Sequence, residues 1–186
     1  MHPFLALWLP TIVSAVAIFV LSSMIHMVVP WHKNDYARFP DEAAVLDSLR
    51  MHNLPPGEYM APRPSSRSDM SSPEFREKVK RGPLVILNIA SGDSVSMGKP
   101  LVLWLIYVLI ISALSGHVAW ATNMVNPDGR YVFHTVAITA LLGYAGALWQ
   151  QTIWFRKPWL TSLKGTFDGL IYAVVTGLIF AYWWPK

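Results

Sequence analysis

Four long stretches of this 186-residue chain are almost free of charged side chains. They are residues 5–29, 101–121, 132–154 and 165–184, and Asp168 is the one charged residue among them. Each stretch reaches the roughly 20 residues that a helix needs to cross a bilayer. Because lipid offers no partner to backbone polar groups, each stretch is predicted to be a transmembrane helix. The sequence therefore predicts an all-α membrane protein, a bundle of four transmembrane helices.

The composition excludes several other classes of protein. Charged residues make up 14% of the chain, against about 25% in a typical soluble domain. The chain contains no cysteine, which excludes a disulfide scaffold, a thiolate metal site and a cysteine nucleophile. A glycine-rich stretch from Gly92 to Lys99 differs from a phosphate-binding loop in its spacing, and Pro100 stands where that loop has its hydroxyl. A nucleotide is therefore not an expected partner.

The distribution of basic residues predicts the topology. We divide the chain into a first span at 1–29, a segment at 30–100 and a three-span bundle at 101–186. Thirteen of the 15 Lys and Arg residues fall in the 30–100 segment and the 155–164 loop, on one side of the membrane. Basic residues favour the cytoplasmic side. The segment is therefore predicted to be a cytoplasmic insertion of about 70 residues, with both termini outside, in a bacterial inner membrane.

The 30–100 segment has a composition like that of a soluble protein. Its nine acidic and ten basic residues nearly cancel, so nucleic acid is not an expected partner. A short helix is predicted over 41–51. Ser72 followed by Pro73 predicts the start of a second helix that ends near Arg81, and the run at 83–89 is typical of a strand.

Asp168 is the ionisable acid inside a predicted span, which makes it the first candidate for function. His26 is predicted to lie at a similar depth, so the two side chains form a candidate proton or ion pair. The alternative is a structural acid near a helix N-terminus, paired with Lys164 or Arg156.

A second polar cluster directly follows the first span. It contains His32 and Asp35, next to Trp31 and Lys33. These residue types suit a proton, metal or lipid-headgroup site, and they equally suit a cap that closes the first helix at the membrane surface. Both interpretations stay open at the level of sequence.

Two further histidines are predicted to share a depth near the outer surface. His117 lies near the outer end of the second span, and His134 lies near the outer start of the third. Imidazoles on neighbouring antiparallel helices suit haem iron or a metal ion, and they equally suit hydrogen bonds at the interface. No cofactor is expected; haem or a metal at this pair is the alternative.

Small residues recur every four positions along the fourth span. This stripe consists of Gly165, Gly169, Ala173, Gly177 and Ala181. Small residues let two helix backbones approach closely, so the stripe predicts tight helix packing. Two surfaces could match it: Thr139, Gly143, Ala147 and Gln151 on the third span, and Ser112 with Gly116 on the second. An external partner or a second copy of the chain is the alternative occupant.

The chain carries no recognisable catalytic set, so an enzyme is the less favoured class. The favoured function is a non-catalytic accessory or assembly subunit of a larger membrane complex. The expected partners are the lipid bilayer and either another membrane protein or further copies of the chain. One alternative is a small oligomeric carrier or channel that uses Asp168 and His26. The other is a redox protein that uses His117 and His134.

Overall fold

The computed structural model describes residues 6–91, 96–122 and 128–185. The chain is mostly helical, and four of its helices are long and apolar enough to cross a membrane. The prediction of a multi-pass helical membrane protein is therefore confirmed. Positions 92–95, which hold part of the glycine-rich stretch, lie outside the described residues.

The chain divides into two compact units, each described by itself. The membrane unit comprises Met1–Ala37 with Gly98–Lys186, and the polar unit comprises Arg38–Met97. In chain order the helices are α1 (Trp8–Met27), α2 (Glu42–Met51), α3 (Pro73–Arg81), α4 (Gly98–Thr122), α5 (Gly129–Ala145), α6 (Leu148–Ile153) and α7 (Trp159–Tyr182). The strands are β1 (Gly57–Ala61) and β2 (Val85–Ile89).

The four candidate spans of the membrane unit are α1, α4, the pair α5 and α6, and α7. The third span is interrupted at Gly146 and Ala147, between α5 and α6. The fourth helix begins at Trp159, after Pro158, and so starts before the charge-free stretch that opens at residue 165. Lys164 bounds the charge-free stretch, but a helix can begin before it enters the hydrocarbon.

Helix packing within the membrane unit centres on α7, whose contact with α5 is the most extensive between helices. α1 packs against α4 and α7, and α4 packs against α5. One group of buried side chains includes Ile18, Val108 and Tyr172. A second group includes Val136 and Phe180. The first group, which Leu21 and Ile25 of α1 join, is the one nearer the polar residues at the end of α1.

The small-residue stripe of α7 packs against the third span. A Cβ atom placed on Gly169 would lie 3.0 Å from Cβ of Ala145. One placed on Gly177 would lie 3.0 Å from Cβ of Ala137. Gly143, one of the residues predicted as counterparts, faces α4 instead, because a Cβ on it would lie 2.6 Å from Cδ1 of Ile111.

The polar unit contains two short helices and a two-stranded antiparallel sheet. The Asp41 side chain accepts a hydrogen bond from the Ala44 amide and caps α2. Ser72 caps α3 through the Phe75 amide at 3.1 Å, as its sequence predicts. The sheet pairs β1 with β2, with Met60 opposite Ile86. This sheet departs from an all-α description, because β1 falls in a region that the sequence assigned to turns and extended chain.

Candidate functional site

Polar side chains from α1, the following turn and α7 meet at one end of the membrane unit. His26 lies in the last turn of α1. After α1 ends, Pro30 begins a short 3₁₀ turn, Pro30–His32, that brings His32 against the ring of His26. Asp168 projects from the third turn of α7 and is only 4% exposed. A buried carboxylate requires polar partners, because the protein interior solvates charge poorly.

The imidazole of His32 bridges two carboxylates. Its Nδ1 atom lies 2.6 Å from Oδ2 of Asp35, and its Nε2 atom lies 2.8 Å from Oδ2 of Asp168. Hydrogen bonds to carboxylates are among the stronger ones in proteins. They fix the orientation of the His32 ring and join two parts of the chain that are 136 positions apart in sequence.

Lys164 completes the network from the first turns of α7. Its ammonium donates hydrogen bonds to Oδ1 of Asp35 at 2.6 Å and to the Trp31 carbonyl at 2.7 Å. It also lies over the Trp31 ring, 5.5 Å from the centroid. The hydrogen bond from Lys164, supported by that from His32, holds the pKa of Asp35 below its usual range.

His26 stands at the exposed side of this network. Its Nδ1 atom donates a hydrogen bond to the Ser22 carbonyl at 3.0 Å, because a carbonyl can only accept. Its ring stacks on that of His32, with centroids 4.3 Å apart and planes 5° from parallel. Ser22 also accepts a hydrogen bond from Nε1 of Trp104 at 2.8 Å, which ties this turn of α1 to α4.

A cavity of about 520 Å³ opens beside these residues. We call the set His26, His32, Asp35, Lys164 and Asp168 the charged site. The cavity walls include all of these residues except Lys164, together with neutral side chains from α6 and α7. The further polar lining residues are Tyr36, Gln151, Lys157, Thr161 and Ser162. The charged site is therefore reachable by small molecules or ions.

The residues of two separate sequence clusters meet in this one place. Asp168 is bonded to His32, whereas the sequence paired it with His26. Among the described residues no ion pair joins Asp168 to Lys164 or Arg156. The structural alternative was wrong in that detail, because Lys164 reaches Asp35 and Asp168 is taken by His32.

The other predicted histidine pair has a different setting. His117 is half-buried on α4, and His134 is exposed on α5 with its ring against Phe133. Where the structure describes the chain, the group of three acidic or histidine side chains close enough to share a metal ion is His26, His32 and Asp168. Neither His117 nor His134 belongs to that group.

The role of Lys164 was missed by sequence reasoning, although a signal was present. Lys164 and Asp168 are four residues apart and so lie on the same face of a helix. That spacing indicates a polar face at this end of α7, which would contact a polar partner elsewhere in the chain. The partner itself, the turn that follows α1, has no local sequence signal.

No protein family, curated protein or solved structure matches this chain. The site is therefore interpreted from its own chemistry. Two carboxylates, two imidazoles and one ammonium group can hold a cation, or can fasten the end of α1 to α7. The arrangement contains no nucleophilic serine or cysteine beside a base.

Proposed function

We propose that the protein is a non-catalytic accessory or assembly subunit that binds a partner protein of a larger membrane complex through its polar unit. The observation that carries the proposal is the lack of buried residues in the polar unit. This unit forms α2, α3 and a two-stranded sheet, yet none of its described residues is buried. Regular structure without a buried core gains little from apolar burial, so a binding partner would supply the missing contacts.

Large apolar side chains of the polar unit are exposed. Met51 is 76% exposed, Met70 is 56% exposed and Ile86 is 42% exposed. Four of the eight methionines of the chain fall in this unit. Exposed apolar groups of this kind mark interaction surfaces, and methionine suits a surface that adapts its shape to a partner.

The sheet of the polar unit offers a second mode of contact. It consists of β1 and β2 alone among the described strands, so the outer edge of each strand has no neighbouring strand. Two-stranded sheets are marginally stable in water. An added strand from a partner would extend the sheet through backbone hydrogen bonds.

The charge of the polar unit favours a protein partner over lipid or nucleic acid. Residues 38–97 contain eight basic and eight acidic side chains, so the unit has no net attraction for an anionic surface. Lipid tails would cover apolar side chains but offer nothing to the backbone groups at a sheet edge. A protein surface can satisfy both.

The proposal also states on which side of the membrane the polar unit lies. Thirteen of 15 basic residues lie in the 30–100 segment and the 155–164 loop, and basic residues are retained in the cytoplasm. The polar unit would then face the cytoplasm of a bacterial cell, with both termini on the outer side of the inner membrane.

Site-specific photo-cross-linking in intact cells tests the proposal. A photoreactive residue at Ile86, on the exposed face of β2, is expected to give one discrete protein adduct, and the same residue at Met60 is expected to give the same adduct. The matched control is Ile138, which is 59% exposed on α5. We expect only lipid adducts at Ile138.

A double variant, Met60→Glu with Ile86→Glu, checks the outcome independently. It should reduce the native-detergent complex to the size of the free protein while membrane abundance stays normal. Ile138→Ala should leave the complex intact. Adducts at Ile86 with lipid alone, or a complex that survives the double variant unchanged, would contradict the proposal.

A further inference from the structure

We infer that the charged site binds one divalent first-row transition-metal ion through His26, His32 and Asp168. The ligand-capable atoms of these three residues already lie within 4.8 Å of one another. Ligands bound at about 2.0–2.1 Å in a tetrahedral arrangement stand about 3.3 Å apart. His32 and Asp168 therefore already stand close enough to share an ion, and the third ligand, His26, is near enough to reach it by turning its ring.

In both histidines one ring nitrogen is already held by a hydrogen bond, as it is in histidines that bind metals. In metal sites the ring nitrogen that is not bound to the metal donates to a carboxylate or a backbone carbonyl. Nδ1 of His26 faces the Ser22 carbonyl at 3.0 Å, and Nδ1 of His32 faces Asp35 at 2.6 Å. Nε2 is thus the remaining nitrogen on both rings.

Of the two histidines, His32 has hydrogen-bond partners on both ring nitrogens. Asp35, which holds its Nδ1 atom, is itself held by Lys164 at 2.6 Å. Nε2 points at Oδ2 of Asp168, 2.8 Å away. An ion would occupy the position between Nε2 of His32 and the Asp168 carboxylate, replacing the hydrogen that joins them.

His26 must turn to complete the coordination. A single ion can lie in the planes of two imidazoles only if those planes converge on it, whereas the rings of His26 and His32 are parallel within 5°. His26 is exposed and stands in the last turn of α1, so its ring can tilt without disturbing buried neighbours. This makes His26 the adaptable ligand and Asp168 the fixed one.

The charge and donor types define the class of ion. Asp35, Asp168 and Lys164 together carry a net charge of −1, which favours a cation. Two imidazoles with one carboxylate match zinc, cobalt, nickel or ferrous iron, whereas magnesium and calcium prefer oxygen ligands. The cavity of about 520 Å³ gives an ion and an exchangeable fourth ligand access to the site.

The test uses the full-length protein in lipid nanodiscs, without an affinity tag that binds metal, after treatment with a chelator. Zn²⁺ binding is measured by equilibrium dialysis with elemental analysis, and Co²⁺ is used for its visible absorption. One Zn²⁺ per chain is expected, and Co²⁺ should give the absorption of a site with nitrogen and oxygen ligands. Bound Zn²⁺ should also raise the thermal midpoint.

Variants separate ligands from bystanders. Asp168→Asn and His32→Gln are expected to weaken Zn²⁺ binding by at least 100-fold. Asp35→Asn, which removes an orienting group, should weaken it by about 10- to 100-fold. His26→Gln keeps the buried network and so tests the site in a protein that still folds. The matched controls are His134→Gln and His117→Gln, which should bind Zn²⁺ like the original protein.

Two results would overturn the inference. One is a stoichiometry well below one Zn²⁺ per chain. The other is unchanged affinity in both His26→Gln and Asp168→Asn. Loss of binding in the His117 or His134 variants would place the metal at the other histidine pair instead. None of these readouts depends on the polar unit or its partner, so the two proposals succeed or fail separately.

Discussion

The membrane unit and the polar unit expose apolar side chains for different reasons. In the membrane unit Ile138 and Leu142 are exposed, while Ser112 and Thr176 are fully buried. Lipid is as apolar as leucine, so small and polar residues take the interior, where close packing and hydrogen bonds hold the helices together. In the polar unit, no described residue is buried, although Met51 and Ile86 are large apolar side chains of the kind that a core contains. Exposure thus indicates lipid in one unit and an uncovered surface in the other.

The sharpest form of this comparison is a matched pair of alanine substitutions. Ile18 is fully buried in the membrane unit, and Ile18→Ala should cost about 2–5 kcal/mol through the cavity it leaves. Leu87 is half-buried in β2, and Leu87→Ala should cost less than about 1 kcal/mol in the partner-free protein. Hydrogen exchange resolved along the chain, in nanodiscs, measures both. Similar costs at the two positions would show that the polar unit has a core of its own.

The second prediction concerns helix packing within the membrane unit. A Cβ on Gly177 would lie 3.0 Å from the backbone oxygen of Phe133, which has little room to move. Gly177→Leu should therefore cost about 1–3 kcal/mol, measured as loss of thermal stability in detergent. The control, Leu178→Ala, changes a side chain that is 57% exposed on the same helix. If Gly177→Leu were tolerated as well as that control, α5 and α7 would not be in close contact.

A third prediction tests the charged site as a fastening between α1 and α7. Lys164→Met removes the donor to Asp35 and to the Trp31 carbonyl. Hydrogen bonds to charged groups are worth about 1.5–3 kcal/mol, so a loss of about 1.5 kcal/mol is expected in thermal unfolding. Lys157→Met, at the cavity wall, should change stability little. Equal effects of the two substitutions would contradict a specific role for Lys164.

The smallest predicted effect lies in the polar unit and concerns pH. The Asp69 carboxylate accepts hydrogen bonds from the Ser65 amide at 2.8 Å and from the Ser65 hydroxyl at 3.0 Å. The hydrogen bond from the Ser65 amide is the main reason that the pKa of Asp69 is lowered from 3.8. A lowered pKa in the folded state means that the stabilisation is present above pH 3.8 and is lost as pH falls through the lowered value. Carboxyl chemical shifts should give a midpoint below 3.8, and a midpoint at or above 3.8 would contradict the turn geometry.

Much of the fold was predictable because its causes are local. A stretch of about 20 residues without charge identifies a membrane span whatever the rest of the chain does. Ser72 and Pro73 specify the start of α3 by themselves, because a helix cap depends on adjacent residues. The beginning of α7 was less predictable. Charge marks the membrane boundary, whereas Pro158 marks where the helix begins.

The sequence named His26, His32, Asp35 and Asp168 as candidates, but it put them in two clusters and did not predict their hydrogen bonds or the role of Lys164. The depth of a residue along a span can be counted from the sequence, which is why His26 and Asp168 were predicted to lie at a similar depth. Rotation of one helix about its axis relative to another cannot be counted in this way, and it decides which residue Asp168 meets. The same limit explains why Gly143 was predicted to face the stripe of α7, although it is turned toward α4.

The bond between His32 and Asp168 has a consequence for how the protein is made. The two residues are 136 positions apart, so α1 enters the membrane long before its partner is synthesised. Until α7 inserts, His26, His32 and Asp35 lack their partners on that helix, Asp168 and Lys164. The site is complete only once α7 has packed against the end of α1, so its formation would report that these two distant parts of the chain have met.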